Sequence, residues 1–215
     1  MKRPGACEDA LGPRGFAPAR LLAAVGRRWY WLVLSPLVMV LWTTVHESFH
    51  ALAALLAGGS IERFVVWPSV GDGGRLLFGW VSYDFPAAAA NPPYAWITAA
   101  PYLGDVAIAL AGLALLRPPA GSRRATAVLI LVFAGAFYDA LNAWHSFLRG
   151  GGDLARLFDP QPFPALYWAV PHLGLHLALT WRAARVALAA ELSASERGAC
   201  MAGLCALPWL IALAL

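Results

Sequence analysis

His46-Glu47-Ser48-Phe49-His50 forms an H-E-x-x-H pentad inside an otherwise uncharged, mostly apolar stretch over residues 29–57. On a helix the two histidines lie four residues apart on one face. Both imidazoles then reach one zinc ion, while Glu47 addresses the water that the metal activates. The chemistry implied is hydrolysis, with His46 and His50 as ligands and Glu47 as base. A polar cluster that stitches helices together would use the same residue types. Charged groups at membrane depth, however, cost about 2.5–3.5 kcal/mol each on insertion scales and are usually kept for function.

A hydrolytic zinc site takes three protein ligands and leaves one position for water. Two carboxylates compete for the third place. Asp139 shares a polar stripe at helical spacing with Tyr138, Asn142, His145 and Ser146, and at about 1.5 Å per residue it falls at the depth of His46 and His50. Asp153 follows Gly150-Gly151-Gly152 and precedes Leu154-Ala155-Arg156-Leu157. Those glycines allow the backbone to turn back toward the bundle; the bland alternative is an exposed acid capping a short helix. His172 and His176 form a second pair at i and i+4, with no carboxylate in their own pattern. Interhelical hydrogen bonds, contact behind the first ligands and a second metal site are the readings for that pair. Asn142 and His145 are further candidates for oxyanion contact or support of the ligands.

The elements that must hold these residues are membrane spans. Hydrophobic residues make up 60% of the 215 and charged residues only 13%, the mean hydropathy is +0.61, and soluble domains run nearer about 25% charged. Five apolar spans are expected, at 29–57, 94–116, 125–148, 163–190 and 200–215, giving an all-α polytopic membrane protein. The formal net charge is +4, and Lys2, Arg3, Arg14, Arg20, Arg27 and Arg28 precede the first span, which favours a cytoplasmic N-terminus in a bacterial cytoplasmic membrane. The basic residues therefore imply orientation rather than nucleic-acid binding. Residues 1–28 read as a flexible tail, 29–165 as the catalytic core and 166–215 as accessory spans. Cys7, Cys200 and Cys205 have no metal-site or disulfide spacing.

Between the first two spans the pattern becomes extended. Residues 61–67 and 75–83 are rich in β-branched and aromatic side chains, and Gly71-Asp72-Gly73-Gly74 offers a turn. A β-hairpin over 60–84 is expected, either as a packing element or as an edge onto which an extended substrate peptide pairs.

The run Val45 to Gly59, with its pentad, glycine turn and following strand-like segment, resembles the site-2 protease family of intramembrane zinc metalloproteases, above all its small bacterial branch without a PDZ domain. Gly152-Asp153-Leu154-Ala155-Arg156-Leu157 is similar to that branch's aspartate segment. The resemblance spans residues 40–165 and implies Asp153 as third ligand, Zn2+ as cofactor, Glu47 as catalytic base and a membrane-protein or peptide substrate, with a regulatory partner allowed. Asn142 is not followed by the proline of the larger family's N-x-x-P pattern, and Leu154 replaces the glycine after the aspartate, so Asp139 stays as reserve ligand. Two rivals make other predictions. A zinc-containing membrane scaffold would hold metal without turnover, and a metal transporter would use His46/His50 and His172/His176 to pass ions.

Overall fold

The computed structural model describes residues 17–27, 30–70, 76–87, 92–115, 123–158, 165–188, 192–200 and 202–203. In chain order the elements are α1 (Pro18–Gly26), α2 (Tyr30–Leu56), β1 (Ser60–Val65), β2 (Ser69–Val70), β3 (Leu76–Leu77), β4 (Trp80–Asp84), α3 (Tyr94–Leu115), α4 (Arg123–Leu148), α5 (Gly152–Phe158) and α6 (Leu166–Leu188). Residues 194–200 are helical as well. The chain is mostly helical with a small antiparallel sheet.

Among the described residues, one stretch, Tyr94–Gly112 in α3, is by length and apolarity sufficient to cross a bilayer. Helices α2, α4 and α6 are of similar length, at 27, 26 and 23 residues. Their apolar runs are interrupted by polar side chains such as His46, Glu47, Asp139, Asn142, His172 and His176. Most of the expected span at 200–215 and the turn at 71–74 lie outside the described residues.

Helix α2 packs against α3 and α4, and α4 packs along α6. One apolar core gathers Ala24 of α1, Ala109 of α3, Ile130 and Phe133 of α4, and Leu179 and Ala183 of α6. A second joins Ala53 and Ala54 of α2 to Ile97 and Ala100 of α3, with Phe49, Ile61, Tyr83 and Phe85 packed against it. Residues 18–26 are therefore not a flexible tail: they form a helix docked on the first core through Leu21 and Ala24. The apolar residues of the PARLLAAVG sequence give it a face to bury.

Two helices end in the same way for the same reason. At the end of α4 the Gly151 N–H donates to the Ser146 carbonyl (2.9 Å) and the Gly150 N–H to Phe147 (2.9 Å), a Schellman cap with Gly150 at φ 72°. Gly59 and Gly58 close α2 on Ala54 and Leu55 in parallel fashion. After the α4 cap, Gly152 at φ 76° redirects the chain, so that Asp153 stands in the first turn of α5 rather than in a loop.

The hairpin keeps its expected bounds, Ser60 and Asp84, but is more broken than its sequence pattern. Strand β1 pairs antiparallel with β4, Phe64 opposite Val81, with an irregularity between Ile61 and Arg63; β2 pairs with β3, Ser69 opposite Leu77. The second expected strand, 75–83, is thus split into β3 and β4, while the first, 61–67, ends at Val65 and β2 follows beyond it. On one side the break falls at Trp67-Pro68, where proline has no N–H for the ladder. On the other it falls at Phe78-Gly79, where the strand presses onto α2: a Cβ on Gly79 would collide with Thr43 and lie 3.3 Å from Glu47 Cγ.

Candidate metal centre

One face of α2 and the start of α5 bring His46, His50 and Asp153 together, with one ligand atom from each within 4.8 Å of the others. His50 Nε2 lies 3.1 Å from Asp153 Oδ2, and His46 Nε2 lies 3.8 Å from the same oxygen. Tetrahedral zinc bonds of about 2.0–2.2 Å place ligand atoms about 3.3–3.5 Å apart, between those two values.

The partners of the far nitrogens decide which ring atoms are left to face a metal ion. His50 Nδ1 donates to the Ile97 carbonyl at 2.8 Å, and His46 Nδ1 lies 3.0 Å from Asp139 Oδ2. A neutral imidazole that donates through Nδ1 has only a lone pair at Nε2. His50 Nε2 and the Asp153 carboxylate then meet as two electron-pair donors, an arrangement that asks for a cation or proton between them. These residues fit a zinc ion, and Asp139 stands behind His46 as the orienting carboxylate.

Pro101 explains why the Ile97 carbonyl is available. Inside α3, proline supplies no N–H to the carbonyl four residues earlier, which is that of Ile97. The orphaned oxygen accepts from His50 instead.

Glu47 and both histidines of the pentad are buried; His46 and Glu47, with Asp139, Asp153 and Asn142, line a cavity of about 210 Å3 floored by Phe78 and Gly79 of the hairpin. Asn142 thus reaches the site, as does Ser146 one turn further along α4. His145, on the same helix, is half-buried and does not line this cavity.

His172 and His176 lie edge to face, ring centres 5.1 Å apart, and the Trp144 indole N–H donates to His172 Nδ1 at 3.2 Å. The carboxylate missing from their own pattern comes from Asp105 of α3, which groups with both histidines. Asp105 also groups with His46 and Asp139. Tyr102 sits between the two histidine pairs, its ring 5.5 Å from His46 and 5.9 Å from His172. It also lines a second, apolar cavity of about 470 Å3, with Trp144, Leu154, Phe158, Trp168 and His172.

Asp105, Tyr102 and Trp144 have no place in the sequence reading. Asp105 carries a signal nonetheless, as a single carboxylate in an otherwise uncharged apolar run over residues 94–116. Tyr102 and Trp144 carry none, because aromatic residues are ordinary in any apolar helix.

The chain matches no protein-family model, no curated protein and no solved structure.

Proposed function

We propose that the protein is an intramembrane zinc endopeptidase of the site-2 protease type, cleaving a transmembrane or membrane-proximal segment of a protein substrate. The observation that carries this reading is the buried meeting of His46 Nε2, His50 Nε2 and Asp153, each histidine held from behind, with the Glu47 carboxylate in the same cavity.

The bound metal supplies Lewis acidity, activating water and polarising the scissile carbonyl. Glu47 takes one proton of the attacking water and returns it to the leaving amide nitrogen; the new carboxylic acid passes its remaining proton to the amine, so that carboxylate and ammonium products separate with no net proton change. Asn142 offers its amide N–H to the carbonyl oxygen as negative charge grows there. Asp139 and the Ile97 carbonyl keep the two imidazoles in the tautomer that leaves Nε2 free. The hairpin edge at Phe78 and Gly79 is where an extended substrate backbone would lie, and the apolar cavity beyond Tyr102 suits its hydrophobic side chains.

The membrane setting rests on an inside-out distribution. Leu37, Leu41 and Leu55 of α2, Leu103 and Leu110 of α3, and Trp168 and Leu177 of α6 point outward, while His46, Glu47, His50, Asp105, His172 and His176 are buried. Exposed leucines on three helices around a polar interior match a lipid-facing surface. On this reading α2, α3, α4 and α6 span the bilayer.

The test is cleavage of a transmembrane peptide by detergent-purified parent and Glu47→Gln protein, with zinc measured in both. Zinc in both and cleavage by the parent alone is expected. An active Glu47→Gln protein, or a parent free of zinc, overturns the proposal.

A further inference from the structure

We propose that Asp105, His172 and His176 form a second, buried site for a divalent transition-metal ion, between α3 and α6. Asp105 is 0% exposed, His176 1% and His172 8%, and one ligand atom from each lies within 4.8 Å of the others. Both carboxylate oxygens of Asp105, Nε2 of His172 and both ring nitrogens of His176 lack any hydrogen-bond partner. Buried polar atoms are nearly always paired, and leaving one unpaired costs about 1–3 kcal/mol, more when it is charged. Five such atoms gathered in one place point to a partner common to them all. The three side chains stand close enough to share an ion, yet make no hydrogen bond to one another.

Charge favours a cation over a water molecule in that place. Glu47, Asp105, Asp139 and Asp153 collect in and beside the two clusters. Arg156 lies 3.9 Å from Asp153, with its side chain 78% exposed to solvent. If the catalytic zinc of the preceding proposal is present, it offsets two of these four carboxylates, and a second divalent ion offsets the rest; this step alone rests on that reading. Two imidazoles and one carboxylate select zinc or cobalt over magnesium or calcium, which prefer oxygen.

Trp144 gives the site a built-in competitor. Its indole N–H occupies the Nδ1 lone pair of His172, so in the metal-free chain the His172 proton sits on Nε2. Binding through Nε2 moves that proton to Nδ1 and breaks the indole bond, with no net proton released. Removing the indole donor therefore tightens the site, an effect opposite to that of losing a structural contact.

The experiment is zinc content per chain of the full-length protein in detergent, by mass spectrometry after equilibration with zinc, for parent, His46→Ala/His50→Ala, His176→Gln and Trp144→Phe. Cobalt titration followed by visible absorption reads the same two sites. About two ions are expected in the parent and about one in each histidine variant, with cobalt binding to the second site several-fold tighter in Trp144→Phe. A parent holding a single ion that His46→Ala/His50→Ala removes and His176→Gln leaves in place overturns this proposal while sparing the protease reading. A single ion lost only in His176→Gln does the reverse. Should a variant not fold, the parent stoichiometry of two against one decides.

Discussion

His46 and His50 differ in what holds them, and the difference predicts how each support fails. His50 is oriented by a neutral backbone carbonyl, His46 by the Asp139 carboxylate. Removing an orienting partner behind a metal-bound histidine costs about 10–100-fold in metal affinity, whereas removing a ligand abolishes the site. Asp139→Ala is therefore expected to bind zinc about 10–100-fold more weakly and Asp139→Asn, which keeps an acceptor for the Nδ1 proton, to stay near the parent. Asp153→Ala is expected to retain no zinc at this centre. Competition titrations against a chelator read all three. Equal loss in Asp139→Ala and Asp153→Ala would make both carboxylates ligands. The pentad was legible because its chemistry is compressed into five residues of one helix. Between Asp139 and Asp153 only the resemblance of residues 152–157 favoured Asp153, because depth along a helix says nothing of which ring nitrogen a carboxylate meets.

At the scale of elements, two sequence breaks are working parts of the site. Pro101 frees the Ile97 carbonyl for His50, so Pro101→Ala returns an N–H that competes for that oxygen. The expected result is zinc affinity lowered by about 10-fold, at the mild end of losses of this kind, without loss of fold; unchanged affinity would mean that the carbonyl serves both donors. Gly79 lets the hairpin lie on Thr43 and Glu47. Gly79→Ala has no room for its methyl group and should lower cleavage at least tenfold with zinc retained, since the collision lies on the Glu47 face and not at the imidazoles. The hairpin's existence was readable from β-branched and aromatic runs about a glycine turn. Its division into β1–β4 and β2–β3 pairs was not, because the break at Gly79 comes from contact with a helix some thirty residues away in the chain. Of the Asp105–His172–His176 cluster the histidine pair was readable from its spacing, but its pairing with Asp105 was not, because that carboxylate lies on a helix remote in sequence.

Across the whole molecule, the two ends of the described chain are tied by one carboxylate. Glu196 is fully enclosed; its Oε2 accepts from the Ser193 N–H at 2.8 Å, and its Oε1 accepts from the Ala17 N–H at 2.9 Å and Arg20 Nε at 3.1 Å. With the Ser193 hydroxyl accepting from the Glu196 N–H, this is a capping box whose glutamate also receives the start of α1. Nothing in the sequence near residue 17 announces that partner, and so a docked helix reads as a loose tail. The Ser193 backbone donor first, then those of Ala17, the Ser193 hydroxyl and Arg20, bring the Glu196 carboxyl from its ordinary 4.5 down to about 2. A group whose acidity is greater when folded stabilises the fold above its unfolded value and loses that contribution as pH falls through the folded one. The stabilisation is thus complete at neutral pH, declines below about 4.5 and is gone below about 2. Glu196→Gln mimics the protonated state at every pH. Its melting temperature in detergent should lie below the parent's at pH 7, with the gap closing steadily as pH is lowered toward 2. A gap that stays constant over that range would mean that shape rather than charge holds α1 to the C-terminal segment.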